Sequence, residues 1–98
     1  MDIIVKVKDI KGSCPVYKVG QEFLLKDGYK LSSTREVCMH SLASIMPYYN
    51  ALRFTCPKEL GLEDREEPGS ACIQCLDPVA CTGGGTVVFS LKREPKRE

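Results

Sequence analysis

The sequence contains no tryptophan, only one histidine (His40), and no strong charge of either sign. Fourteen basic and thirteen acidic residues give a formal net charge of +1, so we expect no field that would attract nucleic acid or an anionic membrane. Three phenylalanine and four tyrosine residues, without tryptophan, disfavour an aromatic platform for stacking bases. A single histidine excludes a catalytic zinc centre of the three-histidine type, and we expect it to be exposed.

Long apolar runs are also absent. No stretch approaches the roughly 18 apolar residues that a membrane helix needs. The run Ile3-Ile4-Val5 is shorter than the apolar region of a signal peptide, and Asp2 and Lys6 flank it. The sequence therefore predicts a cytoplasmic protein that does not enter a membrane. Thiols are normally reduced in the cytoplasm, so six cysteines favour metal ligands or redox groups over a disulfide framework.

The length of 98 residues predicts one domain, and we find no internal repeat or boundary. Hydrophobic residues make up 43% of the chain and charged residues 28%, as in ordinary globular proteins. A chain of this composition can build a core without covalent staples. The last residues, 93–98, are charged and predict a flexible tail.

The fold class is predicted as α+β, with a small, mainly antiparallel sheet packed against one main helix. Alternating apolar and polar residues predict strands over 2–9 and 86–92, and a further strand is expected over 21–26. The polar segment 57–71 predicts a surface loop with one helical turn. Its acidic cluster, Glu63 to Glu67, is interpreted as a solvated face.

A capping box, Ser33-Thr34-Arg35-Glu36, predicts the start of the helix. Steps of four and three residues then place five side chains on one helical face: Cys38, Leu42, Ile45, Tyr49 and Leu52. Pro47 predicts either a kink near Ile45 or a second helix that begins at the proline. Cys38 is expected in the first or second turn, where it could be a small buried hydrophobe or a thiolate ligand at the helix N-terminus.

The pair Cys72-x-x-Cys75, with Cys81 six residues later, is the most informative local motif. A two-residue gap lets two thiolates converge on one metal when the backbone turns between them. The same pair could form a reversible disulfide, although Asp77 disfavours a thiolate and no thioredoxin-like pattern follows. Passive packing is the third interpretation. The glycine run from Thr82 to Thr86 is interpreted as a flexible turn, since no helix N-terminus follows it to hold a phosphate.

Several short segments, distributed over almost the whole chain, stand in a recognisable order. They are Gly12-Ser13-Cys14-Pro15, Lys18-Val19-Gly20-Gln21-Glu22-Phe23, Val37-Cys38, Pro47 to Leu52, Cys75-Leu76-Asp77-Pro78 and Val87-Val88-Phe89. This order resembles a small uncharacterised family of prokaryotic proteins of about this length, which are frequent in anaerobic bacteria and archaea. The family brings no assigned activity with it.

The resemblance implies a metal or cluster site assembled from three separated segments. The family pattern has a cysteine in the first loop, one at the helix start and one in a Cys-Pro-Asp element, which match Cys14, Cys38 and Cys75. This chain has Leu76 where proline is usual. It also adds three cysteines that could complete the site, form a second one or pair as a disulfide: Cys56, Cys72 and Cys81.

The working hypothesis from the sequence is a metal-binding accessory protein that holds zinc or an iron–sulfur cluster. Its ligands would be Cys14, Cys38, Cys75 and one of Cys72, Cys56 or Cys81. The alternatives are a thiol-redox protein that uses Cys72 and Cys75, and a protein-interaction module whose cysteines only pack. A protein partner remains open, as does the choice between a monomer and a small homo-oligomer.

Overall fold

The computed structural model describes residues 1–95, which form an antiparallel sheet packed against one α-helix. The elements in chain order are β1 (Asp2–Gly12), β2 (Glu22–Lys26), β3 (Lys30–Ser32), α1 (Met39–Leu52), a 3-10 helix (Pro57–Leu60), β4 (Ser70–Gln74) and β5 (Gly85–Glu94). The predicted α+β class is confirmed. Across residues 1–95, no helix has the length and apolar character needed to cross a bilayer.

The five strands lie in the order β3-β2-β1-β5-β4, and every neighbouring pair is antiparallel. The long strands β1 and β5 form the centre and pair from Asp2 opposite Glu94 to Gly12 opposite Gly85. A register shift between Val7 and Asp9 interrupts this pairing. Such a bulge increases the local twist of a strand. The pairing places the last residue of β1, Gly12, opposite the first residue of β5, Gly85, and the end of β4 beside the same part of β5.

One face of the sheet carries the core, because alternate residues of each strand point toward α1. The buried apolar residues of this face are Ile3, Val5, Val7, Phe23, Leu25, Ala71, Ile73, Val87, Phe89 and Leu91. The ring of Phe89 meets that of Tyr17 edge-on, with the centroids 5.4 Å apart. Large apolar and aromatic side chains of this kind supply most of the stabilising burial in a small domain.

The predicted strands are confirmed, but the sheet is larger than the pattern indicated. β1 reaches Gly12, and β5 runs to Glu94, so Arg93 and Glu94 belong to the sheet and not to the predicted tail. Residues 96–98 of that tail lie outside the described residues. The strands β3 and β4 were not predicted. β3 is only three residues long and wholly exposed. β4 contains Cys72, whose two-residue spacing from Cys75 suggested a turn that holds a metal, not a strand.

The predicted helical face is confirmed, whereas the predicted helix start is wrong. Ile45 and Leu52 are buried, and the three other members of the stripe pack against the core. The helix begins at Met39, so Cys38 is its N-cap and does not lie in the first or second turn as predicted. The Ser33 hydroxyl bonds to the backbone of Arg35 and caps no helix. The helix continues through Pro47, so the alternative of a second helix starting there is also wrong.

The acidic segment is not uniformly solvated as predicted. Asp64 is buried, and its carboxylate forms an ion pair with the ammonium group of Lys8 in β1. Lys8 is the residue displaced by the bulge in β1, which turns it toward the segment. Glu66 and Glu67 are exposed, in agreement with the prediction. The single helical turn expected in this region is the 3-10 helix at Pro57–Leu60.

Candidate functional site

Three loops meet at the end of the sheet where β1 and β4 finish and β5 begins. The backbone N–H of Ser13 donates to the carbonyl of Gly84 at 3.3 Å, which joins the loop after β1 to the loop before β5. The N-terminus of α1 lies at the same end. We call this region the thiol end, defined by residues 12–17, 37–41 and 75–85. Four of the six cysteines belong to it: Cys14, Cys38, Cys75 and Cys81.

A closed ring of hydrogen bonds fixes the start of α1 at the thiol end. The backbone N–H of Cys38 donates to the Tyr17 hydroxyl at 2.9 Å. The Ser41 hydroxyl donates to the carbonyl of Cys38 at 2.7 Å. Since the Ser41 proton is used in that bond, the Tyr17 hydroxyl must donate to the Ser41 oxygen, 2.8 Å away. Buried Ser41 and Tyr17 therefore fix the residue that precedes α1 through both its backbone N–H and its carbonyl.

Tyr17 also contacts the second cysteine of this region. Its backbone N–H donates to the Cys14 sulfur at 3.4 Å. The sequence order Cys14-Pro15-Val16-Tyr17 thus forms a turn whose first residue supplies a thiol and whose last residue anchors the helix. One residue, through its backbone and its hydroxyl, holds both the loop that carries Cys14 and the helix terminus that carries Cys38.

The pKa of the Tyr17 hydroxyl is set by its burial and its hydrogen bonds. Burial raises the pKa of Tyr17, and its hydrogen bonds with Ser41 and with the backbone N–H of Cys38 lower it. The hydroxyl therefore stays protonated at neutral pH and acts as a fixed hydrogen-bond donor.

The loop that carries Cys81 is organised by Asp77. Its carboxylate accepts hydrogen bonds from the Thr82 hydroxyl and from the backbone N–H of Val79, the latter at 2.9 Å. These bonds, the Thr82 bond above all, lower the pKa of Asp77, and nearby His40 contributes to the same shift. Val79 has φ of +61°, a left-handed conformation that is rare for a β-branched residue. The loop is therefore held in a defined, strained shape.

Close backbone packing joins this loop to the loop of Cys14. A Cβ placed on Gly85 would lie 2.6 Å from the backbone of Ser13, and one on Gly12 would lie 2.4 Å from the carbonyl oxygen of Gly84. Neither position has room for a side chain without backbone movement. Gly12 also has φ of +81°, which favours glycine. The glycine run, which we interpreted as a flexible turn, is instead packed at Gly85.

Cys75 lies where β4 leaves the sheet and is almost fully buried among the core residues. Its backbone N–H donates to Val87 at 2.8 Å, and its carbonyl accepts from the Thr86 hydroxyl at 3.0 Å. Both bonds fix the backbone at the thiol end. The thiol itself is enclosed by apolar side chains, as in many structural cysteines.

The structure does not bring Cys72 and Cys75 together. Cys72 lies within β4 opposite Ser90, and the strand is extended between the two cysteines. Because successive side chains of a strand alternate, Cys72 points to the open face and Cys75 to the core face. Burial and the carboxylate of Asp64 raise the pKa of Cys72. The backbone turn that a metal knuckle or a local disulfide needs is absent between these two residues.

Cys56 lies at the opposite end of the molecule. The guanidinium of Arg93, near the end of β5, donates to its sulfur at 3.7 Å. Arg93 is eight residues beyond Gly85, and at ~3.3 Å per residue this separates Cys56 from the thiol end by about 25 Å. Cys56 cannot share a ligand set with Cys14 or Cys38.

All six cysteines are free thiols. Across residues 1–95, no three His, Cys, Asp or Glu side chains are close enough to one another to hold a metal ion. The thiol end therefore supplies donors of the right chemistry in neighbouring loops, without forming a closed ligand set. His40 is exposed at this end, as predicted.

Sequence reasoning missed Tyr17 and Ser41, which position the two cysteines. Neither residue belongs to a recognisable motif, and Ser41 lies on α1 outside the apolar stripe. The only available signal was the place of Tyr17, three residues after Cys14 and ahead of the strand. That spacing does not by itself indicate a contact with a helix 21 residues further along the chain.

Comparison with known proteins gives no family to which the chain can be assigned. No family model, no curated protein and no solved structure matches it. Functional inference therefore rests on the thiol end and on the surfaces of the fold.

Proposed function

We propose that this protein is a metal-binding accessory protein that uses thiolates at the thiol end to hold zinc or an iron–sulfur cluster. The observation that supports the proposal is the meeting of three separated segments, each with a cysteine, at one end of the sheet. The ligands would come from Cys14, Cys38, Cys75 and Cys81. Thiolate ligands suit both zinc and iron–sulfur clusters, and such sites operate where thiols stay reduced, as in the cytoplasm.

The surroundings of Cys14 and Cys38 support a ligand role. The Cys14 sulfur already accepts an N–H bond from Tyr17, and hydrogen bonds to sulfur tune thiolate-ligated centres. Cys38 stands at the N-terminus of a fourteen-residue helix, where unpaired N–H groups favour negative charge. A bound zinc would supply structural cross-linking of the three loops, and a cluster would supply electron transfer or sensing.

The proposal narrows the ligand set that the sequence left open. Cys56 is excluded by its distance from the thiol end, and Cys72 by its position on the other face of the sheet. Cys81 becomes the fourth candidate, because its loop connects β4 to β5 at the same end. This separation of the cysteines also removes the support for a redox pair formed by Cys72 and Cys75.

A cobalt(II) titration under anaerobic conditions tests the proposal. Thiolate–cobalt coordination gives charge-transfer absorption that oxygen ligands do not give, and zinc should displace the cobalt. We expect the absorption to be lost in Cys14→Ser and Cys38→Ser and retained in Cys56→Ser, the matched control. Equal absorption in all three variants, or none in the native chain together with no metal after anaerobic purification, would contradict the proposal.

A second candidate is an interaction module in which the cysteines only pack. The observation that favours it is the burial of Cys75 within the apolar core. This candidate predicts that chelators leave the melting temperature unchanged and that single Cys→Ala changes cost about 1–2 kcal/mol. A ligand role predicts larger losses in the metal-loaded protein, because metal binding is coupled to folding.

A further inference from the structure

An apolar groove lies between α1 and the β2–β3 hairpin. Its volume is about 250 Å³. It is lined by Leu25, Tyr29, Lys30, Leu31, Leu42, Met46 and Tyr49. Lys30 is the only charged residue in this lining. The groove exists because α1 covers the β4 and β5 side of the sheet, while the β2–β3 hairpin extends beyond the helix.

Large apolar side chains around this groove remain in solvent. Tyr29 is 79% exposed, Leu31 42% and Met46 39%. A cluster of exposed apolar side chains around one concavity is typical of an interaction surface, whereas single exposed residues are not.

The groove is formed before any partner arrives. The Tyr49 hydroxyl donates to the carbonyl of Gly28 at 2.7 Å, which ties α1 to the hairpin turn. The backbone N–H of Tyr29 donates to the carbonyl of Lys26 at 3.2 Å and closes that turn. Binding therefore requires little ordering of the protein, which favours affinity.

The groove borders a free strand edge. Among residues 1–95, β3 pairs only with β2, so its other edge offers backbone N–H and C=O groups. Leu31 lies opposite Leu25 in the ladder and so points to the groove side of the sheet. A strand added beside β3 would alternate its side chains between the groove and the open face.

We propose that this edge and groove bind an extended segment of a partner protein in which apolar and acidic residues alternate. The apolar residues would enter the groove beside Leu31 and Met46, and main-chain bonds to β3 would supply the register, as in strand addition. The acidic residues would face Lys26 and Lys30, which are cross-strand neighbours beside the hairpin turn. Lys30 also forms an ion pair with Asp27 at 3.1 Å.

The same charge argues against a second copy of this chain as the occupant. An antiparallel pair of β3 strands centred on Leu31 would bring Lys30 of each copy within diagonal reach of the other across the new ladder. Like charges in that position destabilise a sheet, and edge lysines are a common protection against self-pairing. This proposal does not depend on the proposed metal site, because no cysteine lines the groove.

An NMR titration of the full chain tests the proposal with two capped synthetic peptides, one alternating Leu and Glu and the other alternating Leu and Lys. We expect the Leu/Glu peptide to shift the amide signals of Leu31, Met46 and Tyr49. We expect it to bind about fivefold more tightly than the Leu/Lys peptide, the size of one exposed ion pair. Met46→Glu should abolish the shifts, while Leu60→Glu, an exposed leucine outside the groove, should leave them unchanged.

Three outcomes would overturn the proposal. They are equal binding of the two peptides, shifts located away from the groove, and a concentration-dependent dimer that Met46→Glu dissociates. The last result would assign the groove to a second copy of the chain. Retention of the native dispersion of amide signals in Met46→Glu shows that the variant is folded, so that loss of binding reports on the groove.

Discussion

The two ends of the sheet use the same kind of contact for different purposes. At the thiol end, the Tyr17 hydroxyl lies within a closed ring of bonds that fixes the start of α1 beside Cys14 and Cys38. At the opposite end, the Tyr49 hydroxyl donates one hydrogen bond to the carbonyl of Gly28, and its side chain lines an apolar groove. The first tyrosine is buried and organises chemically capable side chains, whereas the second is half-buried and organises a surface.

The largest expected effect comes from the tight backbone contact at the thiol end. Gly85→Ala would push its Cβ against the backbone of Ser13, which cannot move aside as a side chain can. We expect a loss of about 3 kcal/mol in the free energy of unfolding, at the upper end for overpacking. Urea unfolding measures it. A Gly61→Ala control, where a Cβ meets open space but φ is +72°, should lose only about 1 kcal/mol. Equal losses would show that the thiol end is not tightly packed.

A smaller difference in the free energy of unfolding is expected between variants of two cysteines at the thiol end, buried Cys75 and exposed Cys81. In metal-free protein, Cys75→Ser would place a hydroxyl among apolar side chains, with an expected loss of about 2 kcal/mol. Cys81→Ser, at an exposed position, should change stability by no more than about 0.5 kcal/mol. Chemical denaturation of both variants in the presence of a chelator makes the comparison. A neutral Cys75→Ser would mean that this thiol is more accessible than its burial indicates.

The sequence predicted the central strands and the main helix, whereas two strands and the start of the helix became apparent only in the structure. Alternation identified β1 and β5, a strand was also expected at 21–26 where β2 lies, and the apolar stripe identified the buried face of α1. β3 and β4 were missed because a short edge strand has little apolar pattern, and because ladder pairing with β5 decides the conformation of Ser70–Gln74. The capping box at Ser33 does not begin the helix, because the Ser33 hydroxyl bonds to Arg35. The helix begins further along the chain, where Tyr17 and Ser41 hold the backbone of Cys38.

The sequence alone does not reveal which of the six cysteines lie near one another in the fold. The resemblance pointed to Cys14, Cys38 and Cys75, and the fold brings their three segments to one end of the sheet. The spacing of Cys72 and Cys75 suggested a local pair, which the extended strand separates onto two faces. Only the strand pairing, a non-local property, reveals that Cys56 lies at the far end.

Smaller losses of stability are expected when the hydroxyl groups of Tyr17 and Tyr49 are removed, and the two variants form a matched pair. Tyr17→Phe leaves the backbone N–H of Cys38 and the oxygen of Ser41 each short of one partner, and we expect a loss of about 1.5 kcal/mol. Tyr49→Phe removes one bond to Gly28, and a loss of about 0.5–1 kcal/mol is expected. Thermal melts of the two variants test the difference. A larger loss for Tyr49→Phe would reverse the roles assigned to the two ends.

The smallest expected effect is a loss of stability in acid. Bonds from Lys8 and the backbone lower the pKa of Asp64 below its ordinary value of 3.8, and those from Thr82 and Val79 do the same for Asp77. A lowered folded-state pKa stabilises the protein above the unfolded value, and this stabilisation is lost as pH falls through the folded value. Unfolding titrations from pH 6 downward should therefore show declining stability below about pH 4, with a weaker decline in Asp64→Asn.

The most direct test of the thiol end is metal analysis of two paired double variants after expression and purification without oxygen. Cys14→Ser/Cys38→Ser removes two thiols that flank Tyr17, and Cys56→Ser/Cys72→Ser removes the two that lie elsewhere. We expect the first variant to contain no bound zinc or iron and the second to retain the native metal content. Retention of metal by the first variant, or its loss from the second alone, would contradict a metal centre at the thiol end.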